Sequence, residues 1–166
     1  MPAKIVLIAH NLRSAHNVGS ILRSADAFAI DQVYLSGYSP YPKQADDPRL
    51  PHLADKATKQ IAKTALGAEK TVPLVHHGDI FKLLEQLRAE GFQITALEQS
   101  RKSIPLNDFQ PGPKLAIIVG REVEGIEPEV LRTVDKIIEI PMLGTKESLN
   151  VASAAAIAMY DLRTRT

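Results

Sequence analysis

The chain contains no cysteine among its 166 residues. That absence excludes a disulfide framework, thiolate zinc sites and a cysteine nucleophile, and it is compatible with a reducing compartment. No apolar run approaches the ~20 residues of a membrane span. Near the start, Lys4 is followed only by Ile5 to Ala9 before His10, Asn11 and Arg13 break the run, so no signal peptide is read there. A cytoplasmic protein with no membrane attachment is expected. Neither sign of charge dominates: the formal net charge is +1 and the pI about 8.0. The molecule as a whole therefore does not announce a polyanion partner, and any binding of RNA has to come from local placement of Lys and Arg. Internal repeats, low-complexity tracts and interdomain linkers are lacking too, and one ordinary globular domain over residues 1–166 is expected, with roughly 70% of its unfolded surface buried.

What is present is an alternation. Short, β-branched apolar runs at Ile5 to Ala9, Val33 to Leu35, Val72 to Val75, Phe92 to Leu97, Leu115 to Val119 and Ile137 to Ile140 read as six mostly buried strands. Helical patterns lie at Asn17 to Ala29, Leu53 to Ala65, Ile80 to Ala89, Pro128 to Thr133 and Leu149 to Leu162. In the first of these, Val18, Ile21, Leu22, Ala25 and Phe28 form the apolar stripe, with Ser20, Arg23 and Asp26 opposite. Asp79 suits an N-cap before Ile80, and Gly91 suits the C′ position of the same helix. Strands alternating with helices imply an α/β fold, a mainly parallel six-stranded sheet covered on both faces. The proline-rich segments 36–51 and 99–113 read as loops or short lids.

Three places carry candidate chemistry. The first, His10 to Arg23, follows the first strand and runs into the first helix, where helix N-termini in a parallel sheet offer unsatisfied N–H groups to a ligand. Arg13, His16, Asn17 and Arg23 stand where an anionic substrate could be gripped. Taken alone, Asn17 reads as an N-cap, Arg23 as a solvated partner of Asp26, and His10 and His16 as polar loop residues not spaced for metal. The second, Ile117 to Gly125, ends a strand: Gly120 and Gly125 bracket a loop that can approach a flat ligand, and Glu122 and Glu124 can accept hydrogen bonds or be merely solvated. The third, Ile138 to Tyr160, runs from a strand through Gly144 into a final helix so rich in Ala, Val, Ile and Met that most of its surface is expected to be buried. Ser148 reads as its cap, and Met142 as core.

Each motif alone is moderately specific; together, in this order and spacing, they resemble the SpoU/TrmH family of the SPOUT superfamily. N-x-G-x-x-x-R is met by Asn17, Gly19 and Arg23, and G-x-E-x-x-G by Gly120, Glu122 and Gly125. An I-P-M-x-G segment leading into S-L-N-V is met by Ile140 to Gly144 and Ser148 to Val151. The likeness extends through Leu66-Gly-Ala-Glu69 and spans essentially the whole chain, so the N-terminal RNA-binding domain of some members is not expected here. Two departures stand out: Arg121 and Val123 flank Glu122 where small or polar residues and glycine are usual, and Ala29 stands where a glycine usually ends the first helix.

The resemblance implies a SPOUT-type fold with a C-terminal trefoil knot, a homodimer with a shared active site, and S-adenosylmethionine-dependent methylation of a ribose 2′-hydroxyl in tRNA or rRNA. Carried over by position, Leu97, Gly120, Ile140, Met142 and Leu149 are implied to line the cofactor pocket. Asn17, Arg23, Glu122, Ser148 and Asn150 match the catalytic and substrate-positioning set. The family makes Arg23 the base; an arginine pKa above ~12 makes orientation of phosphate and hydroxyl by a cationic Arg23 the physically cheaper role. RNA is the expected partner and DNA is not. Lys43, Arg49, Lys56, Lys59, Arg101 and Lys102 on the irregular loops and second helix are candidate phosphate contacts. Two alternatives stay open: a knotted enzyme that methylates a base nitrogen, which Arg23 and Ser148-Leu149-Asn150 argue against, and a catalytically silent RNA-binding protein of the same fold, which would tolerate loss of Arg23. A nicotinamide-binding reading lacks the glycine fingerprint after the first strand.

Overall fold

The computed structural model describes residues 3–165. Its centre is a pair of parallel strands, β1 (Lys4–His10) and β6 (Lys114–Val119), in register from Lys4 opposite Lys114 to Ala9 opposite Val119. Both are apolar at almost every position because each side of the sheet faces its own core. Ile5, Leu7, Leu115 and Ile117 point into one core, while Val6, Ile8, Ala116 and Ile118 point into the other. Side chains alternate between faces along a strand, so a doubly covered strand needs an unbroken apolar run rather than an alternating one.

Five more strands flank the pair: β2 (Gln32–Ser36), β3 (Leu74–His77), β4 (Gln93–Leu97), β5 (Ile104–Pro105) and β7 (Lys136–Glu139). The order is β3-β2-β1-β6-β4-β7-β5, and every pairing is parallel. Seven strands therefore form where six were expected. The extra one is a two-residue edge strand inside the segment read as a loop, and its Pro105 is tolerated because an edge position leaves a missing donor unmissed. β3 starts two residues later than expected, since Val72 instead closes a four-residue helix, α3 (Ala68–Thr71).

On the first face lie α1 (Ala15–Ala27), α2 (Pro51–Ala65) and α6 (Val151–Arg165); on the second lie α4 (Ile80–Ala89) and the short α5 (Pro128–Leu131), which stops before the expected Thr133. The helix α4 has the expected limits: the Asp79 carboxylate accepts from Phe81 N at 2.9 Å and Lys82 N at 3.3 Å, and Gly91 beyond its end has φ +88°. The helix α1 is capped by Ser14, whose hydroxyl accepts from Asn17 N at 3.1 Å, and not by Asn17 as the sequence suggested. Its far end closes with Ile30 N donating to Ala25 O at 2.9 Å and Ala29 N to Asp26 O at 3.1 Å. That puts Ala29 at φ +50°, a left-handed position where glycine is the unstrained choice. Between its ends, α1 crosses α2 at close range, because a Cβ on Gly19 would lie 2.1 Å from Thr64 Oγ1 and 2.3 Å from Ile61 O.

The final helix is less buried than expected. Ala152, Ala155, Ala158, Met159 and Leu162 enter the core, but Ile157 and Tyr160 stand 42% and 56% exposed on the other side. Among the described residues no helix is long and apolar enough to cross a membrane.

Candidate active site

The C-terminal ends of β1, β6, β4 and β7 meet at one edge of the sheet, the edge where parallel α/β sheets bind ligands. There, a cavity of about 230 Å³ is lined by Leu97 and Glu98 after β4, by Gly120 to Gly125 after β6, and by Ile140, Met142, Ser148 and Leu149 after β7. All five residues implied to hold the cofactor face it: Leu97, Gly120, Ile140, Met142 and Leu149. Met142, read from the sequence as core, is a wall of the cavity. The Gly120–Gly125 loop is folded tightly back on itself. A Cβ on Gly120 would come within 2.6 Å of Ile126 Cγ1 and 2.8 Å of Ile126 N, and Arg121 pairs with Gly125 in an isolated bridge.

Glu98 pins that loop from below. One carboxylate oxygen accepts from Ile126 N at 2.9 Å, and it lies so near Gly125 (φ +72°) that a Cβ there would be 2.2 Å from it. Arg121, the departure from the family pattern, turns inward: its Nε donates to Gly125 O at 3.0 Å and stands 3.7 Å from Glu127. It closes the loop and is not a free phosphate contact. Val123, the other departure, is 86% exposed at the loop's tip.

Beside the cavity, three of the implied catalytic residues form a chain of hydrogen bonds. Glu122 accepts from Ser14 N at 3.0 Å, from Arg13 N at 3.2 Å and from Asn17 Nδ2 at 3.3 Å; Asn150 Nδ2 in turn donates to Asn17 Oδ1 at 3.2 Å. The Ser14 cap explains how this arises. With the helix start satisfied by serine, the Asn17 amide is released to bridge Glu122 and Asn150. Partial burial disfavours the charge on Glu122, but the Ser14 and Arg13 N–H groups and the Asn17 amide outweigh it and hold the carboxyl below its usual range. Glu122 is thus an anchored anion suited to orientation.

Asn150 also caps α6, its Oδ1 accepting from Ala152 N at 2.8 Å and Ser153 N at 3.3 Å. The cap expected of Ser148 is therefore supplied by Asn150, and Ser148 instead lines the cavity. One asparagine fixes the helix and grips Asn17.

Arg23 is elsewhere. It lies exposed two turns along α1, in a hollow with Ser20, Ser24, Phe28, Lys63 and Thr64, and does not line the cavity. The pairing with Asp26 expected from sequence does not form; Asp26 accepts from the Thr71 hydroxyl at 2.7 Å. Among the six candidate phosphate contacts, Arg49 is committed to the fold. It sits 3.5 Å over the Tyr41 ring, donates to Tyr41 O at 2.9 Å, and holds Asp47 far below the usual carboxylate range. Lys43 pairs with Asp55 at 3.2 Å, while Lys56, Lys59, Arg101 and Lys102 are exposed.

Sequence reasoning missed a second cluster. His10, read as a polar loop residue, is the last residue of β1 and only 4% exposed; its ring contacts Ser36 Oγ at 2.8 Å and Glu127 Oε2 at 3.2 Å. Burial lowers its pKa against the opposing pull of Glu127. No periodicity could have flagged this, because the partners are 26 and 117 residues away.

Residues 4–160 match the model of the SpoU rRNA Methylase family. The chain is 32% identical over 157 residues to a Staphylococcus epidermidis protein named for the TrmH family of tRNA/rRNA methyltransferases, an alignment covering 95% of this chain and 57% of that protein. The chain thus spans little more than half the length of that relative. Among solved structures, the A. aeolicus TrmH/SpoU tRNA modifying enzyme superposes with a TM-score of 0.77 at 25% identity, over 98% of this chain and 75% of that one. The AdoMet-bound rRNA methyltransferase of Sinorhizobium meliloti gives 0.81 at 20% identity, over 99% and 57%, a likeness of fold.

Proposed function

Because the chain belongs to the SpoU rRNA methylase family, we propose that it methylates a ribose 2′-hydroxyl of tRNA or rRNA with S-adenosylmethionine as donor. The observation that carries this reading is the coincidence of two sets. The residues implied to hold the cofactor all line one cavity, and Asn17, Glu122 and Asn150 are hydrogen-bonded to one another at its side. The cavity also suits a cationic guest. Glu98, Glu122, Glu124 and Glu139 line it against the single cation of Arg121, which is itself turned toward Gly125 and Glu127.

When bound, S-adenosylmethionine supplies a methyl group on a positively charged sulfur, a good electrophile whose leaving group is a neutral thioether. The chain's task is then to present a hydroxyl oxygen in line and to receive its proton. Asn17 and Asn150 offer fixed amide groups for orienting a ribose, with Glu122 preventing the Asn17 amide from flipping. Ser148, exposed on the cavity wall, can hydrogen-bond the incoming hydroxyl. Arg23 acts as a cation that aligns an RNA phosphate and favours loss of the hydroxyl proton to that phosphate or to water; its guanidinium keeps its own protons.

The separation of Arg23 from the cavity supports a homodimer in which one protomer supplies Arg23 to the cavity of the other. The exposed Ile157 and Tyr160 face of α6 is the apolar surface such a contact would cover. The strand order supports the trefoil knot: β7 sits between β4 and β5, so the connection from Leu97 to Ile104 crosses the end of β7, where the segment leading to α6 begins. A cytoplasmic location accompanies an RNA substrate.

The test is transfer of labelled methyl groups from S-adenosylmethionine to separated tRNA and rRNA pools from cells lacking the gene, followed by nucleoside analysis. A labelled 2′-O-methylnucleoside is expected. A base-methylated nucleoside, or no transfer by a protein that binds the cofactor, would overturn the reading.

A further inference from the structure

We propose that a second hollow at the same sheet edge, between Tyr38 and Phe81, takes one unpaired nucleobase of the RNA whose ribose is presented to the cavity. The inference rests on the methyltransferase reading and names where the flanking part of that substrate binds. The chain has eight aromatic residues, four Tyr and four Phe. Three are largely exposed, Tyr38 at 55%, Phe81 at 45% and Tyr160 at 56%, and two of those three line this one hollow. Exposed aromatic faces beside a recess are what splayed-out bases of single-stranded RNA stack upon.

One stretch of chain lines the two cavities in turn. Residues 120–125 line the first, and Glu127, Glu129 and Val130 of the continuing chain line the second. Arg13 bridges their rims: its guanidinium donates to Glu124 at 2.8 Å on the cavity side, and the Tyr38 hydroxyl and Glu124 together raise its pKa. A phosphate between a base in the hollow and a ribose at the cavity would pass over this cation. Within the hollow itself the charged side chains are the carboxylates of Asp79, Glu127 and Glu129, with the His10 ring and the Tyr38 phenol the other titratable groups. That balance repels a phosphate and suits the amino edge of a base.

The hollow is held open by a rigid frame. Asn11 adopts φ +54°; its Nδ2 donates to Glu127 Oε1 at 2.7 Å and its Oδ1 accepts from Tyr38 N at 3.0 Å. A Cβ on Gly37 would lie 1.9 Å from Asn11 Oδ1, so the turn presenting Tyr38 sits directly on that side chain. His10 locks the same frame from beneath through Ser36 and Glu127. Little ordering is left for a ligand to impose.

The experiment compares full-length protein and its variants by fluorescence anisotropy with a labelled single-stranded oligoadenylate of about 10 nucleotides and an RNA duplex of the same length. Tyr38→Ala and Phe81→Ala are each expected to weaken single-strand binding roughly tenfold, the scale of one lost stacking contact, while duplex binding stays within about twofold. Tyr38→Phe, which keeps the ring, should restore affinity, and KM for RNA should rise in the alanine variants with kcat nearly unchanged. Unchanged single-strand affinity and KM in the double alanine variant, in a protein whose wild type methylates RNA, would overturn this inference and leave the methyltransferase reading intact. A wild type that neither transfers methyl nor binds the single strand would remove both.

Discussion

The cavity after β6 and the hollow between α1 and α2 divide the same implied catalytic set, four residues at the first and Arg23 in the second, and one chain builds them to very different degrees. At the cavity, main-chain loops, carboxylates and amides are mutually hydrogen-bonded, from Glu98 through the Gly120–Gly125 loop to Glu122, Asn17 and Asn150. In the hollow, Arg23 and Lys63 stand exposed without an ion pair or side-chain hydrogen bond among the described residues. In the proposed reaction the unneutralised Arg23 is the group that meets an RNA phosphate, whereas the carboxylates lining the cavity suit a small cationic guest. The proposed reaction thus assigns holding and reacting to different surfaces of one fold.

The largest effect should come from cutting the two apart. Arg23→Ala is expected to lower methyl transfer by about 10²–10³-fold, the scale of losing one charged group at a reacting centre. Calorimetric binding of S-adenosylmethionine should stay within twofold of wild type. Transfer retained at wild-type rate would show that the hollow has no part in the chemistry. Gly19→Ala attacks the hollow's frame instead. With Thr64 Oγ1, Ile61 O and Ala65 N all within 2.9 Å of the added carbon, two of them main-chain atoms, α1 and α2 have to separate. A loss of about 2–3 kcal/mol is expected, read as a fall in Tm of roughly 5–10 °C. Below that Tm the cofactor should still bind.

On the cavity side, the anchored Glu122 makes stability depend on pH. Its folded pKa lies below its ordinary value, so its contribution is fully present above about pH 4.5 and is lost as pH falls through the folded value. Glu122→Gln should remove about 1–2 kcal/mol at neutral pH and flatten the acid limb of a denaturant-midpoint series. An unchanged acid limb would mean that the N–H groups of Arg13 and Ser14 are not what holds the carboxylate.

The cavity is far more legible in the sequence than the hollow. The strands that end in Leu97, Val119 and Glu139 are apolar runs whose limits a doubly covered sheet enforces, so the apolar pattern alone places the loops after them. The motifs then assign side chains to those loops. Where sequence and structure part, the cause is competition among neighbours for the same task. Ser14 and Asn17 both suit the N-cap of α1, as Ser148 and Asn150 suit that of α6, and only the packed geometry decides which side chain is released. β5 is hidden because two residues carry no periodicity. Arg49 has the look of a surface cation, since nothing in its neighbourhood announces that Tyr41 and Asp47 fold over it. The His10–Glu127 frame joins residues 117 apart and has no local signal at all.

The smallest expected effect is a gain, and it separates fold from function at the C-terminal end of α1. Ala29 occupies the left-handed position that terminates the helix, at φ +50°, with Phe28, a wall of the Arg23 hollow, just before it. A Cβ in that conformation costs roughly 1–2 kcal/mol against the neighbouring carbonyl, while glycine gives back part of the saving through a more flexible unfolded chain. Ala29→Gly should therefore stabilise the protein by about 0.5–1 kcal/mol, seen as a higher denaturant midpoint with an unchanged slope. Arg163 already holds this turn, donating to Ala29 O at 2.7 Å and to Phe28 O at 3.3 Å, so the turn should keep its shape and methyl transfer its rate. If the variant were instead destabilised, the strain at Ala29 would be offset by contacts of its methyl group, and the alanine would be a packing residue in its own right.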